Sequence, residues 1–366
     1  MLFNQVYKGK KILITGNTGF KGSWLSSWLV RLGAASIRGY SSNIPTEPSI
    51  FQGSDLLKKG TDQIWGDVRD RSSLSDAIQL YRPDFIFHLA AQALVKTSYS
   101  NPLETIETNA MGTANVLDVV RNLNYPCTVV LITSDKVYEN VEWYYGYREN
   151  DRLGGYDPYS ASKSAAEILI NAYLKSFLLN NPYVKIGIGR AGNVIGGGDW
   201  APDRIVPDAI RAWSEEKSLQ VRNPFATRPW QHVMEPLSGY LRVGQALFEG
   251  KILTGESFNF GPPGEQNATV AELLDRMKPY WKNSSWTDTS AGNKSYEAGL
   301  LKLSCDKALQ ILQWKPNLEL SNTIRFTMEW YLEYYNRNTV PDELMQNQIE
   351  EYETIAKNSK IAWAID

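Results

Sequence analysis

The sequence predicts an α/β fold, in which a doubly wound parallel sheet of Rossmann type carries a smaller C-terminal lobe. The first half of the chain alternates short apolar runs with amphipathic segments, which is the pattern of a parallel sheet covered by helices on both faces. A glycine-rich turn directly follows the first apolar run, as in strand–turn–helix units that bind dinucleotides. After about Gly192, glycine and proline become frequent. We therefore predict a dinucleotide-binding domain over residues 1–190 and a ligand-binding lobe over residues 191–366, with the chain crossing back to the first domain.

The elements of this fold are predicted from hydrophobic periodicity. Short apolar runs predict strands at Lys11–Thr15, Ser36–Tyr40, Gln63–Trp65, Phe85–Leu89, Thr128–Thr133 and Val184–Arg190. Amphipathic segments predict helices at Phe20–Leu32, Ser72–Tyr81, Asn109–Leu123, Tyr159–Leu179, Thr269–Tyr280 and Asn322–Tyr335. After Gly192 the helices are expected to be shorter and separated by loops. The polar stretch from Gln346 onwards is expected to be a surface helix or a frayed tail.

The composition excludes several classes of protein. The formal net charge is −2, whereas a general nucleic-acid-binding protein needs a basic face to neutralise phosphates, so we expect no nucleic-acid partner. No apolar run is as long as a membrane span, and no signal-peptide pattern precedes the first strand. We therefore expect a cytoplasmic protein with no membrane partner and with free thiols at its 2 cysteines. Its 2 histidines are too few for a typical zinc site, and we predict no metal.

The glycine-rich turn contains Gly16, Gly19 and Gly22, spaced three apart. Gly16 is expected to permit the tight turn out of the strand, Gly19 to let the backbone approach a pyrophosphate, and Gly22 to let the helix pack close to the sheet. The N–H groups and dipole of the helix N-terminus would then hold the phosphates. A plain flexible turn is the alternative, but the strand before the turn and the amphipathic helix after it favour dinucleotide binding.

The residues alone leave the choice between NAD and NADP open. The second strand lacks the acidic residue that normally binds the adenosine ribose. Asn43 can hydrogen-bond a ribose hydroxyl, whereas Arg38 suits a 2′-phosphate. After the third strand, Asp67 can accept a hydrogen bond from the adenine amino group while Val68 packs on the ring. A helix N-cap is an equally good explanation of Asp67.

A catalytic set is predicted at the carboxyl end of the fifth strand and on the helix that follows. Tyr159 and Lys163 lie four residues apart and share one helix face. A free tyrosine has a pKa near ~10, and an ammonium one turn away favours the phenolate, so the pair is expected to supply a base. Ser134 is placed to hydrogen-bond the substrate hydroxyl that Tyr159 deprotonates. Asp135 and Lys136 are either a salt-bridged loop or a second acid/base pair, which would indicate a further proton transfer.

These motifs resemble the extended short-chain dehydrogenase/reductase family over nearly the whole chain. The segments that carry the resemblance are the glycine turn, His88–Gln92, the Ser134/Tyr159/Lys163 set and Arg190–Val194. Within the family the chain is most similar to the nucleotide-sugar 4,6-dehydratases. The segments similar to the branch that acts on CDP-glucose are Thr18–Trp24, Gly196–Trp200 and Arg228–His232. Lys136 also resembles that branch, since the dTDP-glucose branch has glutamate at this position.

The resemblance implies NAD as cofactor and an internal redox cycle that converts CDP-glucose to CDP-4-keto-6-deoxyglucose. Tyr159 would take the proton of the 4-hydroxyl, Lys136 would remove the proton at carbon 5, and Asp135 would protonate the leaving 6-hydroxyl. A lysine base must be neutral, so its pKa is expected to be lowered by burial or by Lys163. One alternative is a nucleotide-sugar 4-epimerase or 4-dehydrogenase, which needs no Asp/Lys pair. Another is a non-catalytic NAD-binding regulatory protein, against which the Tyr159/Lys163 pair argues.

The resemblance also implies which residues bind the two ligands. The cofactor-binding residues are expected to be Gly16, Thr18, Gly19, Phe20, Gly22, Asn43, Asp67, Val68, Leu89, Ala90, Ala91, Tyr159 and Lys163. The substrate-binding residues, in a lobe for the nucleotide sugar, are expected to be Asn193, Val194, Arg204, Arg222, Arg228 and Trp230. Arg190 is either a pyrophosphate ligand or a buried structural arginine.

Three further expectations concern the nucleotide and the assembly. Trp230 and His232 are each either part of the pocket wall or part of the lobe core. Glu297 and Lys302 are expected near the nucleotide, by resemblance. The family further implies a homodimer or homotetramer that packs through the two predicted helices Asn109–Leu123 and Tyr159–Leu179.

Overall fold

The computed structural model, which describes residues 1–291 and 300–365, contains a parallel sheet of seven strands. The strands are β1 (Lys11–Thr15), β2 (Ser36–Ser41), β3 (Thr61–Trp65), β4 (Phe85–His88), β5 (Cys127–Ile132), β6 (Val184–Ala191) and β7 (Glu256–Phe260). Their spatial order is β7-β6-β5-β4-β1-β2-β3. The order reverses between β1 and β4, and ligands of doubly wound sheets bind outside the carboxyl ends of the strands at such a reversal. The predicted fold class is therefore confirmed.

Nine helices of eight or more residues are described. They are α1 (Phe20–Arg31), α2 (Arg71–Tyr81), α3 (Gly112–Val120), α4 (Pro158–Tyr173), α5 (Ile205–Ser214), α6 (Met234–Phe248), α7 (Val270–Met277), α8 (Leu320–Arg337) and α9 (Pro341–Asn358). Shorter helical segments are Leu2–Gln5, Ile50–Gly53, Asp55–Gly60, Val95–Ser100, Pro102–Ile106, Glu107–Met111, Asp135–Val137, Leu174–Leu178, Lys278–Tyr280, Ala308–Leu312 and Ala362–Ile365. Short paired strands outside the sheet are Val194–Ile195 with Gln231–His232, Thr227–Arg228 with Ala268–Thr269, and Leu219–Val221 with Trp286–Asp288.

Side chains of the central strands alternate between two apolar cores, as the period of a β-strand requires. On β1, Ile12 and Ile14 contribute to one core, which also contains residues of α1, α6 and α9. Leu13 points into the other core, which contains residues of α2, α3 and α4. Burial on both faces explains why the strands of this sheet appear in the sequence as nearly continuous apolar runs.

The second half of the chain differs from the expectation of short helices. Helices α8 and α9 each contain 18 residues, and α6 lies over β5 and β6. Close packing of α6 depends on two glycines of β6, because a Cβ atom at Gly187 would lie 2.5 Å from Val243 and one at Gly189 would lie 2.7 Å from Tyr240. Strand β7, which was not predicted, adds to the sheet beside β6. The chain therefore crosses back to the first domain, while the division at residue 190 stays a prediction.

The stretch after Gln346 is part of helix α9, so the alternative of a frayed tail is wrong, and one face of the helix is buried rather than lying free on the surface. Helix α9 packs against α1, and the buried carboxylate of Glu353 accepts a 2.9 Å hydrogen bond from the indole of Trp28. The ring of Trp363, further along, stacks on Phe3 with the centroids 4.8 Å apart. Within the described residues, the helices are too short or too polar to cross a membrane.

Candidate active site

Ser134 and Asp135 are held in place at the carboxyl end of β5 by a single helical turn, Asp135–Val137. The Ser134 hydroxyl oxygen accepts a hydrogen bond from the backbone N–H of Lys136 at 3.2 Å and donates its own proton to Asp135 Oδ1 at 2.9 Å. Both side chains are buried. Gly192 makes room for the carboxylate, because a Cβ atom there would lie 2.4 Å from Asp135 Oδ2.

Helix α4 brings Tyr159 and Lys163 to the same place. The helix begins at Pro158, and Asp157 caps it by accepting a 2.9 Å hydrogen bond from the backbone N–H of Ser160. Tyr159 therefore lies in the first helical turn, buried and hydrogen-bonded to Ser134. Lys163 is buried one turn further along. The structure thus brings Ser134, Asp135 and Tyr159 together on one cavity wall, and Lys163 follows Tyr159 by one turn of α4.

The pKa of Tyr159 differs from the expectation that a nearby ammonium lowers it. Burial raises the pKa of Tyr159 to about 12, against the opposing effect of the Ser134 hydrogen bond, so the expected shift toward the neutral range is absent. Burial also lowers the pKa of Lys163 to about 8, which the carboxylate of Glu167 opposes. For Asp135, burial raises the pKa despite the nearby positive charge of Lys136 and the Ser134 hydrogen bond. Asp135 is therefore suited to carry a proton that it can donate.

A cavity of ≈ 710 Å³ opens in front of these residues. Ser134, Asp135, Lys136 and Tyr159 all contribute to its wall. The six predicted substrate-binding residues also line it, namely Asn193, Val194, Arg204, Arg222, Arg228 and Trp230. A volume of this size suits a small organic ligand. The wall combines the acid/base residues at the end of β5 with three arginines from the second half of the chain.

Lys21, in the glycine turn itself, also lines this cavity and was not singled out in the sequence. Burial lowers its pKa to about 8; Arg204 acts in the same direction, and the negative charge of Asp135 opposes the shift. One signal was available in the sequence, because a lysine in the first turn of a helix faces the positive end of the helix dipole and so requires a reason to be there.

The glycine turn has the shape that a bound pyrophosphate requires. Gly16 adopts a φ of +76°, and a Cβ atom there would lie 2.7 Å from the backbone nitrogen of Ala90. A Cβ atom at Gly22 would lie 2.1 Å from the carbonyl oxygen of Gly16. At Gly19, by contrast, the nearest atom within 4 Å would be 3.5 Å away, which leaves open space in front of the N-terminus of α1. The described residues therefore fit the predicted dinucleotide.

The other predicted cofactor residues surround this turn. Thr18 donates its hydroxyl proton to the carbonyl oxygen of the exposed Asn43 at 2.7 Å, so both lie at the rim of the turn. Phe20 is the first residue of α1, and Leu89, Ala90 and Ala91 follow β4 directly, half-buried beside it. The end of β4 is hydrogen-bonded to the start of the glycine turn, since the backbone N–H of Leu89 donates to the carbonyl oxygen of Thr15 at 3.0 Å.

The structure bears on two alternatives that the residues leave open near the predicted adenosine site. Arg38 is paired with Asp62, to which its Nε donates at 2.8 Å, and its guanidinium lies over the ring of Tyr81. The helix N-cap explanation of Asp67 is wrong, because Asp70 caps α2. The hydrogen bond from Arg69 is the main cause of the lowered pKa of Asp67. Val68 is buried beside it.

Arg190, His88 and His232 are structural rather than ligand-binding. The buried guanidinium of Arg190 donates two hydrogen bonds to Glu167, at 2.8 and 2.9 Å. His88 lies between the hydroxyls of Thr15 and Thr113, and burial lowers its pKa to about 3. His232 packs edge-on against Trp24 within the core. Trp230, in contrast, is part of the cavity wall.

We expect the change Arg190→Met to destabilise the fold by about 3–5 kcal/mol, because it leaves the Glu167 carboxylate buried without its partner. Urea unfolding monitored by circular dichroism measures the loss. Arg337→Met is the matched control, since it removes an exposed ion pair with Glu333 that contributes about 0–1 kcal/mol. Equal stability of the two variants would contradict a structural role for the buried pair.

Of the two residues expected near the nucleotide, Lys302 and Glu297, the structure describes only Lys302. Lys302 lines a separate pocket of ≈ 420 Å³, beside Tyr144 and Cys305, and not the larger cavity. Glu297 lies outside the described residues. Across residues 1–291 and 300–365, no group of three or more His, Cys, Asp or Glu side chains is arranged to hold a metal ion.

Comparison with known proteins places this site in a family. The model of the GDP-mannose 4,6 dehydratase family matches residues 13–327. The chain belongs to this family. It is 44% identical over 339 residues to a CDP-glucose 4,6-dehydratase of Salmonella typhimurium. The alignment covers 90% of this chain and 93% of the relative. A dTDP-glucose 4,6-dehydratase of Escherichia coli K12 is 26% identical, covering 88% of this chain and 92% of the relative. The prediction of a nucleotide-sugar dehydratase of the extended short-chain family is thereby confirmed.

Solved structures agree with the fold. A UDP-glucuronic acid 4-epimerase from Bacillus cereus, in complex with UDP-glucuronic acid and NAD, has a TM-score of 0.76 at 23% identity and covers 89% of this chain and all (100%) of its own. A dTDP-glucose 4,6-dehydratase from Bacillus anthracis, in complex with NAD, has a TM-score of 0.73 at 20% identity and covers 88% of this chain and 97% of its own. Both likenesses extend over both halves of the chain.

Proposed function

We propose that the protein catalyses the NAD-dependent 4,6-dehydration of CDP-glucose to CDP-4-keto-6-deoxyglucose. The observation that carries the proposal is the placement of Asp135 and Lys136 beside Ser134 and Tyr159 on one cavity wall. A simple dehydrogenation needs only the hydroxyl, the tyrosine and the lysine of α4. The further acid/base residues supply the proton transfers that loss of water requires. The 44% sequence identity to the CDP-glucose 4,6-dehydratase of Salmonella typhimurium supports CDP-glucose as the substrate.

NAD is the proposed cofactor, held by the glycine turn, by the strand end Leu89–Ala91 and by Tyr159 and Lys163. When bound there, NAD would supply hydride transfer, from carbon 4 and back to carbon 6. Engagement of Arg38 by Asp62 supports NAD over NADP, because a 2′-phosphate then lacks that cation. Asn43 at the rim offers its amide to the ribose hydroxyls.

The diphosphate of the substrate is assigned to the three arginines of the cavity. Arg204 is half-buried and bonded to Asp199 at 2.8 Å, so it is fixed in position before the ligand arrives. Arg222 is more exposed and lies near Asp203. Planar guanidinium groups bind phosphate oxygens in pairs, which suits this task better than lysine does. Trp230, whose indole N–H donates to the Ala268 carbonyl at 3.1 Å, forms a rigid part of the wall.

The chain's own residues move three protons in this scheme. Tyr159, as the phenolate, accepts the proton of the 4-hydroxyl as carbon 4 becomes a ketone. The ketone acidifies the proton at carbon 5, which Lys136 accepts. Asp135 donates its proton to the 6-hydroxyl, which leaves as water. Lys136 then returns its proton to carbon 5, and transfer of a proton from Tyr159 to Asp135 restores the starting state. The Ser134 hydroxyl is hydrogen-bonded to both Asp135 and Tyr159 and so orients the acid and the base toward one ligand.

Replacing Lys136 by methionine is expected to stop loss of the carbon 5 proton while 4-oxidation continues. The expected result is a fall in dehydration of roughly 10²–10⁴-fold, the size of a lost general base. Incorporation of solvent deuterium at carbon 5 measures the step directly. Lys96→Met is the control, because Lys96 also lines the cavity but is paired with Asp203 at 2.9 Å. Full turnover of the Lys136 variant would refute its role as the base.

The first experiment mixes purified protein, NAD and CDP-glucose, and follows the 4-keto-6-deoxy sugar and free NADH together. Keto-sugar without accumulating NADH is the expected result. NADH without dehydration would make the protein a nucleotide-sugar 4-dehydrogenase, and inversion at carbon 4 would make it a 4-epimerase. Turnover of a different nucleotide sugar only would retain the chemistry and refute the assignment of CDP-glucose.

We further propose that the protein is a cytoplasmic homodimer or homotetramer. The faces around α3 and α4 support this assembly, since Met111, Ile168 and Phe177 are each more than half exposed, at 51%, 58% and 53%. Apolar side chains gathered on neighbouring helices are typical of a packed interface. Sedimentation analysis of the purified protein tests the assembly, and a monomer at micromolar concentration would contradict it.

A further inference from the structure

Lys21 occupies a position between the two parts of the cofactor site. Its backbone belongs to the first turn of α1, where the described glycine turn fits a pyrophosphate. Its side chain reaches the cavity that Tyr159 and Asp135 line. Its charge interacts with Arg204, Asp135, Lys163 and Asp199. Lys21 therefore joins the glycine turn, which fits a pyrophosphate, to the cavity wall that carries Tyr159.

A cation at this place is energetically unfavourable in the protein without ligand. The N-terminus of a helix presents the positive end of its dipole, which repels a cation, and partial burial removes hydrating water. Lys163 and Arg204 add like charge nearby. Of the two carboxylates that face Lys21, Asp199 is already bonded to Arg204 at 2.8 Å, and Asp135 is the proposed proton donor.

The path of the cofactor explains why the cation is present. A dinucleotide whose pyrophosphate lies at the N-terminus of α1 and whose hydride-accepting carbon lies near Tyr159 must extend its nicotinamide half between those points. Lys21, in the first turn of α1 and on the wall of the cavity that Tyr159 lines, is positioned between those points. We propose, on the basis of the NAD-dependent function argued above, that Lys21 lies beside the nicotinamide and favours its reduced form over its oxidised form.

The electrostatic reason is the change in charge of the ring. The oxidised nicotinamide carries a positive charge, and the reduced ring is neutral. When the carbon 4–hydrogen bond breaks, both of its electrons and the hydrogen pass to the ring, and the proton of the 4-hydroxyl passes to Tyr159. A neighbouring ammonium is therefore repelled by the ring before the transfer and not after it. Lys21 thus promotes the first, oxidising half of the cycle.

The test compares the dissociation constants of NAD⁺ and NADH, measured by titration calorimetry with the wild-type protein and with Lys21→Met. The variant is expected to strengthen NAD⁺ binding relative to NADH binding by roughly tenfold, the order of magnitude for one unit charge near the ring in a partly screened site. Lys21→Arg keeps the charge and is expected to keep the wild-type ratio. Lys96→Met, at a cavity lysine outside the proposed cofactor path, is expected to leave the ratio unchanged.

The pH dependence of the ratio provides a second readout that a steric role would not produce. Burial lowers the pKa of Lys21 to about 8, so the ammonium is present below that pH and is lost as the pH rises through it. The wild-type ratio should therefore approach that of Lys21→Met above about pH 8. The other titratable groups that face Lys21 are Asp135, Lys163 and Asp199, and they are retained in both proteins, as is Arg204.

The outcomes are separable. Equal weakening of NAD⁺ and NADH in Lys21→Met would make Lys21 a phosphate ligand and overturn the proposal, and so would an unchanged ratio. If Lys21→Met fails to fold, the Lys21→Gln variant is titrated instead. Assay of the wild-type protein with CDP-glucose runs in parallel, because failure there refutes the proposed dehydration, whereas the binding ratio tests Lys21 alone.

Discussion

Replacement of Tyr159 by phenylalanine is expected to lower kcat/KM for CDP-glucose by roughly 10²–10⁴-fold, the usual contribution of a general base. Phenylalanine keeps the ring that helix α4 places in the cavity wall but removes the oxygen that accepts the proton of the 4-hydroxyl. The loss should appear in the first step, so NADH should not form on the enzyme. Stopped-flow absorbance of bound NADH after mixing with substrate measures that step.

Tyr173→Phe is the matched control for this prediction. Tyr173 ends the same helix, α4, and is only half-buried, far along the chain from the catalytic turn. Its variant should retain wild-type turnover. Rapid NADH formation in Tyr159→Phe would show that another group accepts the proton. The NAD dissociation constant of Tyr159→Phe should change little, which separates a chemical defect from a lost cofactor.

The second large effect is expected for Asp135→Asn. The amide has nearly the same shape but cannot donate an acidic proton, so the 6-hydroxyl leaves poorly and dehydration falls by about 10²–10⁴-fold. Oxidation at carbon 4 should continue. The variant should therefore accumulate bound NADH together with a 4-keto sugar that still has its 6-hydroxyl, which mass spectrometry of the quenched reaction detects. Dehydration at the wild-type rate would remove Asp135 from the mechanism.

The pH dependence of the wild-type enzyme follows from the same carboxyl group. Burial raises the pKa of Asp135, so its acid form persists to a higher pH than in a free aspartic acid. Dehydration needs that acid form, and we expect its rate to fall as the pH rises through the raised pKa. Oxidation at carbon 4 should instead gain from rising pH, because burial raises the pKa of Tyr159 to about 12 and its phenolate is the reactive form.

The parts of the site that were predictable depend on spacing. Tyr159 and Lys163 share a helix face because four residues make about one turn. Gly22 is required by a contact within a single strand–turn–helix unit, and Gly16 by the positive φ of the turn. Lys21 is not predictable in this way, because glycine spacing indicates the turn but not which side chain of the turn reaches the cavity. The raised pKa of Tyr159 was also unpredictable, since it depends on burial by elements that are distant in sequence.

The elements that were missed are those for which tertiary packing outweighs local preference. Helix α6 contains Pro236, Gly239 and Gly244, which are poor helix formers, yet nearly all of its residues are buried between the sheet and the C-terminal helices. Strand β7 contains Glu256, Ser257 and Asn259 among its 5 residues, so its pattern is weakly apolar. Neither element can be identified until the rest of the fold presents the surface that it covers.

The path of the chain through α6 and β7 also limits how a protein of this kind can exchange parts during evolution. The two elements come from the second half of the sequence but complete the sheet of the first. A gene fragment ending at residue 190 would encode β6 with an unpaired edge and a bare apolar face, features that promote aggregation. Recombination between relatives at this point therefore has to supply an α6 and a β7 that fit the sheet of the first half, in addition to the loops that line the cavity.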